Sequence, residues 1–149
     1  MRISVCSDEA YPVHGVIIRD LEQRGHEVVR YGSFQKHESA QPWALVAEEA
    51  AQAVASGMCE QGIFFCWTGT GISIAANKVA GIRAALCVDA GTAKGARIWN
   101  HANVLCLSNR LLSEDIAKEI LQAWFQTPED DFSIIFAPHE QGHLVNLSV

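Results

Sequence analysis

Short runs of almost unbroken apolar residues recur along the chain, and each is followed by a stretch of helical periodicity. The runs are Arg2–Ser7 (RISVCS), His26–Tyr31 (HEVVRY), Gln61–Cys66 (QGIFFC), Ala84–Val88 (AALCV) and Val104–Ser108 (VLCLS). Strands that lack polar alternation are buried on both faces, as parallel strands are. Strand and helix in strict alternation imply βαβ units with right-handed crossovers. The pattern therefore predicts a three-layer α/β fold, with a five-stranded parallel sheet covered by helices on both faces.

The intervening segments carry their own signals. Val13, Val16, Ile17 and Leu21 share one helical face, and Gly25 ends that helix. Pro42 is placed to open a second helix whose face carries Trp43, Val46, Ala50 and Val54. A short helix is expected around Ile74–Lys78, and Asp89 can cap the one after the fourth strand. Ser113, followed by Glu114 and Asp115, is an N-cap with an acidic first turn, after which Ile116, Ile120, Ala123 and Trp124 share a face.

A chain of 149 residues with 49% hydrophobic content suits one domain with a filled core. The α/β rhythm occupies residues 1–125. Residues 126–149, with Pro128, the acidic run Glu129–Asp131 and Pro138, read as an arm or short helix packed on a partner subunit. The formal net charge is −6 and the Lys and Arg residues are scattered, which argues against binding a nucleic-acid backbone. No apolar run approaches the roughly 20 residues of a membrane span, and the N-terminus lacks the features of a signal peptide. The cysteines are odd in number and form no CxxC pair; Cys6, Cys87 and Cys106 sit within apolar runs. That usage suits a reducing, cytoplasmic setting.

In an open parallel sheet the ligand sits beyond the carboxyl ends of the strands. The loop after the third strand is the richest: Cys66-Trp67-Thr68-Gly69-Thr70-Gly71-Ile72-Ser73 leaves a buried strand and enters a helix. Its glycines let backbone N–H groups converge, and the helix start adds its positive end, so an anion could be held there. The loop lacks a P-loop lysine and is no dinucleotide fingerprint; by pattern alone a plain strand-to-helix turn fits as well. Cys66 stands where a thiolate is favoured, although the last buried position of an apolar strand describes it equally.

The run Cys66-x-Thr68-Gly69-x-Gly71-Ile72-Ser73-Ile74-Ala75-Ala76-Asn77-Lys78, followed by Gly81-Ile82-Arg83-Ala84, resembles the signature of the ribose-5-phosphate isomerase B family, which includes the galactose-6-phosphate isomerase subunits. The likeness continues through Ala96-Arg97, Asn100, Asn103-Val104-Leu105 and Arg110 to the helix ending near Trp124, and fades in the tail. It implies a Rossmann-like fold and an aldose–ketose isomerase acting on a sugar phosphate through an enediolate. It implies Cys66 as the proton-transfer base, with Thr68, Gly69, Thr70, Gly71 and Ser73 around the oxyanion. Losing one such donor typically costs about 3 kcal/mol of barrier stabilisation. By the same resemblance Asn100 binds substrate, Arg110 binds its phosphate, no metal or organic cofactor is needed, and the assembly is a homodimer or homotetramer with pockets completed by a neighbour.

The chain also departs from that family. An Asp-His pair usually ends the first strand; here Asp8 is followed by Glu9. The residue before the asparagine is usually a histidine that opens the sugar ring; here it is Trp99, whose indole cannot shuttle a proton at neutral pH. His101 could replace it only if the helix end were rearranged, and an exposed histidine near a helix end has no chemical role by default. The tail offers no Arg or Lys, leaving His139 and His143, spaced i, i+4, as its cations toward a phosphate or as plain surface histidines. Trp67, where glycine is common, is expected to narrow the pocket, stack on substrate or simply fill space. A pentose or tetrose phosphate is the favoured substrate, and these changes leave room for one that needs no ring opening, such as a tetrose phosphate. A non-catalytic sugar or nucleotide binder, or an isomerase of an unphosphorylated sugar or sugar acid, stays open.

Overall fold

The computed structural model describes residues 1–35 and 41–127. Along the chain run β1 (Arg2–Ser7), α1 (Pro12–Gln23), β2 (Glu27–Gly32), α2 (Trp43–Ala55), β3 (Gln61–Cys66), α3 (Thr70–Ala76), β4 (Ala84–Leu86), α4 (Ala90–Asn100), β5 (Val104–Ser108) and α5 (Glu114–Gln126). The five strands form one parallel sheet in the order β2-β1-β3-β5-β4. The α/β reading is borne out. The expected arm over 126–149, with His139 and His143, lies outside the described residues but for its first two positions.

Strand alternation sorts the core into two layers. Ile3, Val5, Ile63, Phe65, Leu105 and Leu107 face α1, α4 and α5. Cys6, Phe64, Cys66, Val104 and Cys106 face α2 and α3. Both faces of β3 are buried at every position, which is why its sequence reads as an unbroken apolar run. Two polar pairs tie the core together: Ser4 Oγ donates to the Ala50 carbonyl at 2.9 Å, joining β1 to α2, and Trp124 Nε1 donates to Gln61 Oε1 at 2.7 Å.

The caps behave as their residue types dictate. Asp89 accepts from the Thr92 amide and Ser113 from the Ile116 amide, each satisfying an N–H that a helix start leaves open. Three elements differ from their expected bounds, and of these β2 is shifted by one residue, to Glu27–Gly32. β4 stops at Leu86, with Val88 half exposed on the way to the Asp89 cap. The third helix begins at Thr70, because Gly69 caps it in the left-handed conformation with φ 75°.

α1 follows β1 on one face and α2 precedes β3 on the other, so the chain direction reverses between β1 and β3. Such a switch point opens a crevice at the carboxyl ends of the strands. Ser7 and Asp8 form one side of it and Cys66 and Trp67 the other.

Candidate active site

Cys66 is the last residue of the central strand, paired in register with Ser108 of β5, and only 6% of its surface is open. It packs in the apolar layer beneath α2 and α3 and stands at the strand end that borders the crevice. The strand end is pinned on the β5 side: the Asn109 amide donates to the Cys66 carbonyl at 3.0 Å, the Arg110 amide to the Trp67 carbonyl at 3.1 Å, and Ser108 Oγ to the same Trp67 carbonyl at 3.0 Å.

From Trp67 the chain turns through Thr68 and Gly69 into α3. A β-carbon at position 69 would stand 2.5 Å from Leu86 Cδ1 and 3.0 Å from the Leu107 backbone, so only glycine fits the turn. Thr68 Oγ1 accepts from the Thr70 amide at 3.4 Å, and Ser73 Oγ donates to the Thr70 carbonyl at 3.1 Å. The amides at Thr70, Gly71 and Ile72 occupy the first turn, where no intrahelical acceptor exists. Thr68 and Thr70 are exposed, Gly71 and Ser73 half-buried, and the Trp43 ring of α2 lies over Gly71.

Across the crevice, Asp8 is half-buried with its Oδ1 buried and unpartnered among the described residues. Glu9 is exposed; its carboxylate accepts from the Tyr11 phenol at 2.9 Å, which raises the phenol's pKa. Tyr11 leads to a cluster that the sequence reading missed. The His14 ring packs on Phe65 and Phe34 with centroids at 4.5 and 4.9 Å, and Tyr11 touches both His14 (5.7 Å) and Trp67 (6.2 Å). His14 Nε2 lies 2.8 Å from Asn109 Oδ1. Burial lowers the His14 pKa, opposed by the Asn109 bond and by the Asp8 carboxylate. A histidine set within the apolar stripe of α1 was the one sequence signal for this cluster.

Trp99, Asn100 and His101 lie elsewhere. α4 starts at Asp89, beyond the carboxyl end of β4, and returns antiparallel to the strands. Its 11 residues cover about 16 Å at 1.5 Å per residue. Trp99 and Asn100 therefore sit at the amino edge of the sheet, opposite Cys66 in the same chain. Trp99 is 69% exposed and packs on Gly95, where a β-carbon would meet the indole at 2.7 Å. With Asn100 it lines a groove of about 600 Å³ that runs along α4 to Leu86 and Gly91. His101 is buried rather than exposed, in a left-handed C-cap with φ 48°, and its carbonyl accepts from Arg83 Nε at 2.8 Å. The helix must end there to feed β5, so the sequence places His101 at a turn rather than in solvent. Arg110 is exposed at the carboxyl edge with Cys66.

Burial raises the thiols of Cys6 and Cys106 well above the usual value and that of Cys87 to about 12. Among the described residues no group of side chains is suited to hold a metal ion, and no helix is long and apolar enough to cross a membrane.

Comparison with known proteins agrees with this architecture. The family model described as Ribose/Galactose Isomerase matches residues 3–133. Ribose-5-phosphate isomerase B of Escherichia coli is 39% identical over 119 residues, covering 80% of this chain and 78% of that protein. D-erythrulose-4-phosphate isomerase of Pectobacterium atrosepticum is 38% identical over 125 residues, covering 83% and 82%. The solved structure of Clostridium thermocellum ribose-5-phosphate isomerase B superposes with a TM-score of 0.77 at 38% identity, covering 85% of each chain. A cysteine-ended central strand, a glycine turn into a short helix and a matching fold over most of the chain lead to one family: this chain belongs to the ribose/galactose isomerases.

Proposed function

We propose that the protein is an aldose–ketose isomerase of a short sugar phosphate, a tetrose phosphate before a pentose phosphate. The Cys66 thiolate removes the C2 proton of the aldose as the carbonyl electrons move to O1, giving an enediolate. The thiol returns a proton to C1 as the ketose carbonyl forms at C2, while the O2 proton is passed to O1. The observation that carries this reading is Cys66 at the end of β3, beside the β1/β3 switch point and followed by the Gly69 turn. The Gly71 and Ile72 amides supply donors where negative charge develops on the oxygens.

The four-carbon preference is supported by Trp99 standing where the resemblance implies a ring-opening histidine. An aldotetrose 4-phosphate has its C4 oxygen esterified and cannot close a ring. The similar Pectobacterium protein is named for D-erythrulose 4-phosphate.

The functional unit in this reading is a homodimer. Asn100 and Trp99 lie at the opposite sheet edge from Cys66, so they reach a Cys66 loop only on a neighbouring subunit, where Asn100 binds the sugar and Arg110 the phosphate. All five cysteines are free, which suits a cytoplasmic enzyme.

Proton NMR in D2O across tetrose, pentose and hexose phosphates tests the reading. Deuterium should enter at C2 of the aldose or C1 of the ketose, fastest for a tetrose phosphate, and Cys66→Ala should abolish it. Absence of exchange in the wild type, or unchanged exchange in Cys66→Ala, rejects the assignment. The non-catalytic binder, favoured by the same loss at position 99, would instead show thermal stabilisation by a sugar phosphate without exchange.

A further inference from the structure

We infer that Asn109 is a substrate-binding residue and that His14 is the positioning residue that aims its amide. The inference rests on the isomerase reading above.

Buried polar atoms without partners are rare, and each asks for an explanation. Three are found at the carboxyl edge of the sheet: Ser33 Oγ after β2 and, on the two strands that flank β3, the Asp8 Oδ1 acceptor after β1 and the Asn109 Nδ2 donor after β5. None has a partner among the described residues. An acceptor and a donor flanking the end of β3 call for a ligand that brings both kinds of group. A hydroxylated carbon chain does so, because each hydroxyl donates one hydrogen bond and accepts others.

The orientation of Asn109 follows from its partner. The Tyr11 amide donates to His14 Nδ1 at 3.3 Å, so that nitrogen is the acceptor of a neutral ring and Nε2 carries the hydrogen. Nε2 then donates to Asn109 Oδ1 at 2.8 Å, a bond that spans 95 positions in sequence. With its oxygen engaged, the amide must direct Nδ2 away from His14. Packing against Phe65 and Phe34 holds the imidazole, and the main-chain bond from Asn109 to the Cys66 carbonyl fixes the amide beside the reacting residue. Nδ2 is closed to solvent, so a substrate that meets it must displace neighbouring side chains on entry.

Asn109→Asp separates this role from simple packing, since a carboxylate still accepts from His14 but donates nothing to substrate. In the D2O assay with erythrose 4-phosphate, Asn109→Asp should lose on the order of a hundredfold in kcat/KM with the fold kept by circular dichroism. His14→Phe preserves the ring packing and frees the amide; it should raise KM and lower kcat, and His14→Gln, which can donate to Oδ1, should recover part of the loss. Asn109→Leu, at near wild-type activity, or Asn109→Asp within threefold of wild type, overturns the inference while leaving the isomerase reading intact. A wild type without exchange, or an unaffected Cys66→Ala, removes that reading and this one with it. Should Asn109→Asp fail to fold, Asn109→Ala, which carries no side-chain donor, is judged by the same criterion.

Discussion

Leu86 Cδ1 stands 2.5 Å from the point a β-carbon on residue 69 would occupy, so the side chain that ends β4 and the turn that follows β3 fix each other. Gly69 also has φ 75°, a conformation L side chains rarely adopt. Gly69→Ala should therefore destabilise the fold by about 2–4 kcal/mol, from backbone strain and overpacking together. Urea denaturation measures it. Adding Leu86→Ala should recover only part, because the Leu107 backbone, 3.0 Å from the same point, cannot withdraw. A Gly69→Ala variant as stable as the parent would contradict the turn geometry.

Cys66 ends its strand, whereas Cys6 and Cys106 lie inside theirs and are fully buried. Cys6, Cys106 and Cys87 are held as thiols by burial, Cys87 with a pKa of about 12, so at pH 8 they resist alkylation while the chain is folded. Iodoacetamide should label Cys66 first, sugar phosphate should slow that labelling, and activity should fall in step with it. Peptide mass spectrometry reads the order. Cys66→Ala should lose about 10²–10⁴-fold in kcat, the range for a positioned acid–base group.

What was legible depended on how locally each feature is encoded. β1, β3 and β5 were bounded at the residues observed, because buried parallel strands leave unbroken apolar runs, and Asp89 and Ser113 announced their helices through side-chain oxygens. The start of α3 was hidden, since its cap is a glycine backbone conformation rather than a side chain. The Cys66 loop stood out because its residues are contiguous. His14 and Asn109 did not, their bond joining residues 95 positions apart. The separation of Trp99 and Asn100 from Cys66 was equally hidden: it follows from the direction in which α4 runs back across the sheet, which is a property of the topology and not of either motif.

Stability should fall on acidification through a window set by His14. Its native pKa is lowered by burial, against the smaller pull of Asn109 and Asp8, so between the native pKa and the unfolded value near 6.5 the unfolded chain binds the extra proton. The contribution is whole above about pH 6.5 and declines as pH drops through that value toward the native pKa. The facing groups are Asp8, the Tyr11 phenol and, through that phenol, Glu9. His14→Gln should flatten the loss of melting temperature between pH 7 and pH 5. His26, also lowered by burial, acts with the same sign, so the comparison belongs in a His26→Gln background. An unchanged slope would show that His14 does not carry the effect.

The opposed positions of Cys66 and Asn100 give a test of the proposed shared site. Cys66→Ala and Asn100→Ala chains should each be inactive, yet refolding them together in equal amounts should restore about a quarter of wild-type activity, because half of randomly formed twofold dimers are mixed and each mixed dimer holds one intact site. Activity that stays at zero after mixing, in samples shown to exchange subunits, would place both residues in the same chain's site or Asn100 in none.

Trp99 gives a test of the proposed tetrose preference. A pentose 5-phosphate closes to a furanose through its free C4 hydroxyl, and opening it requires a group that moves a proton, which an indole N–H does not do at neutral pH. A tetrose 4-phosphate is open from the start. The indole is 69% exposed and packs on Gly95, so a smaller ring at this position leaves the α4 groove intact. Trp99→His should raise kcat/KM for ribose 5-phosphate by at least about tenfold, at the low end for general acid–base assistance, and change that for erythrose 4-phosphate little. The gain should be largest near neutral pH, where imidazole both takes and gives a proton. Parallel gains on both substrates would mean that the histidine relieves crowding rather than opening a ring. No gain on the pentose would mean that residue 99 does not govern the choice between four and five carbons, and would leave the tetrose preference without its structural basis.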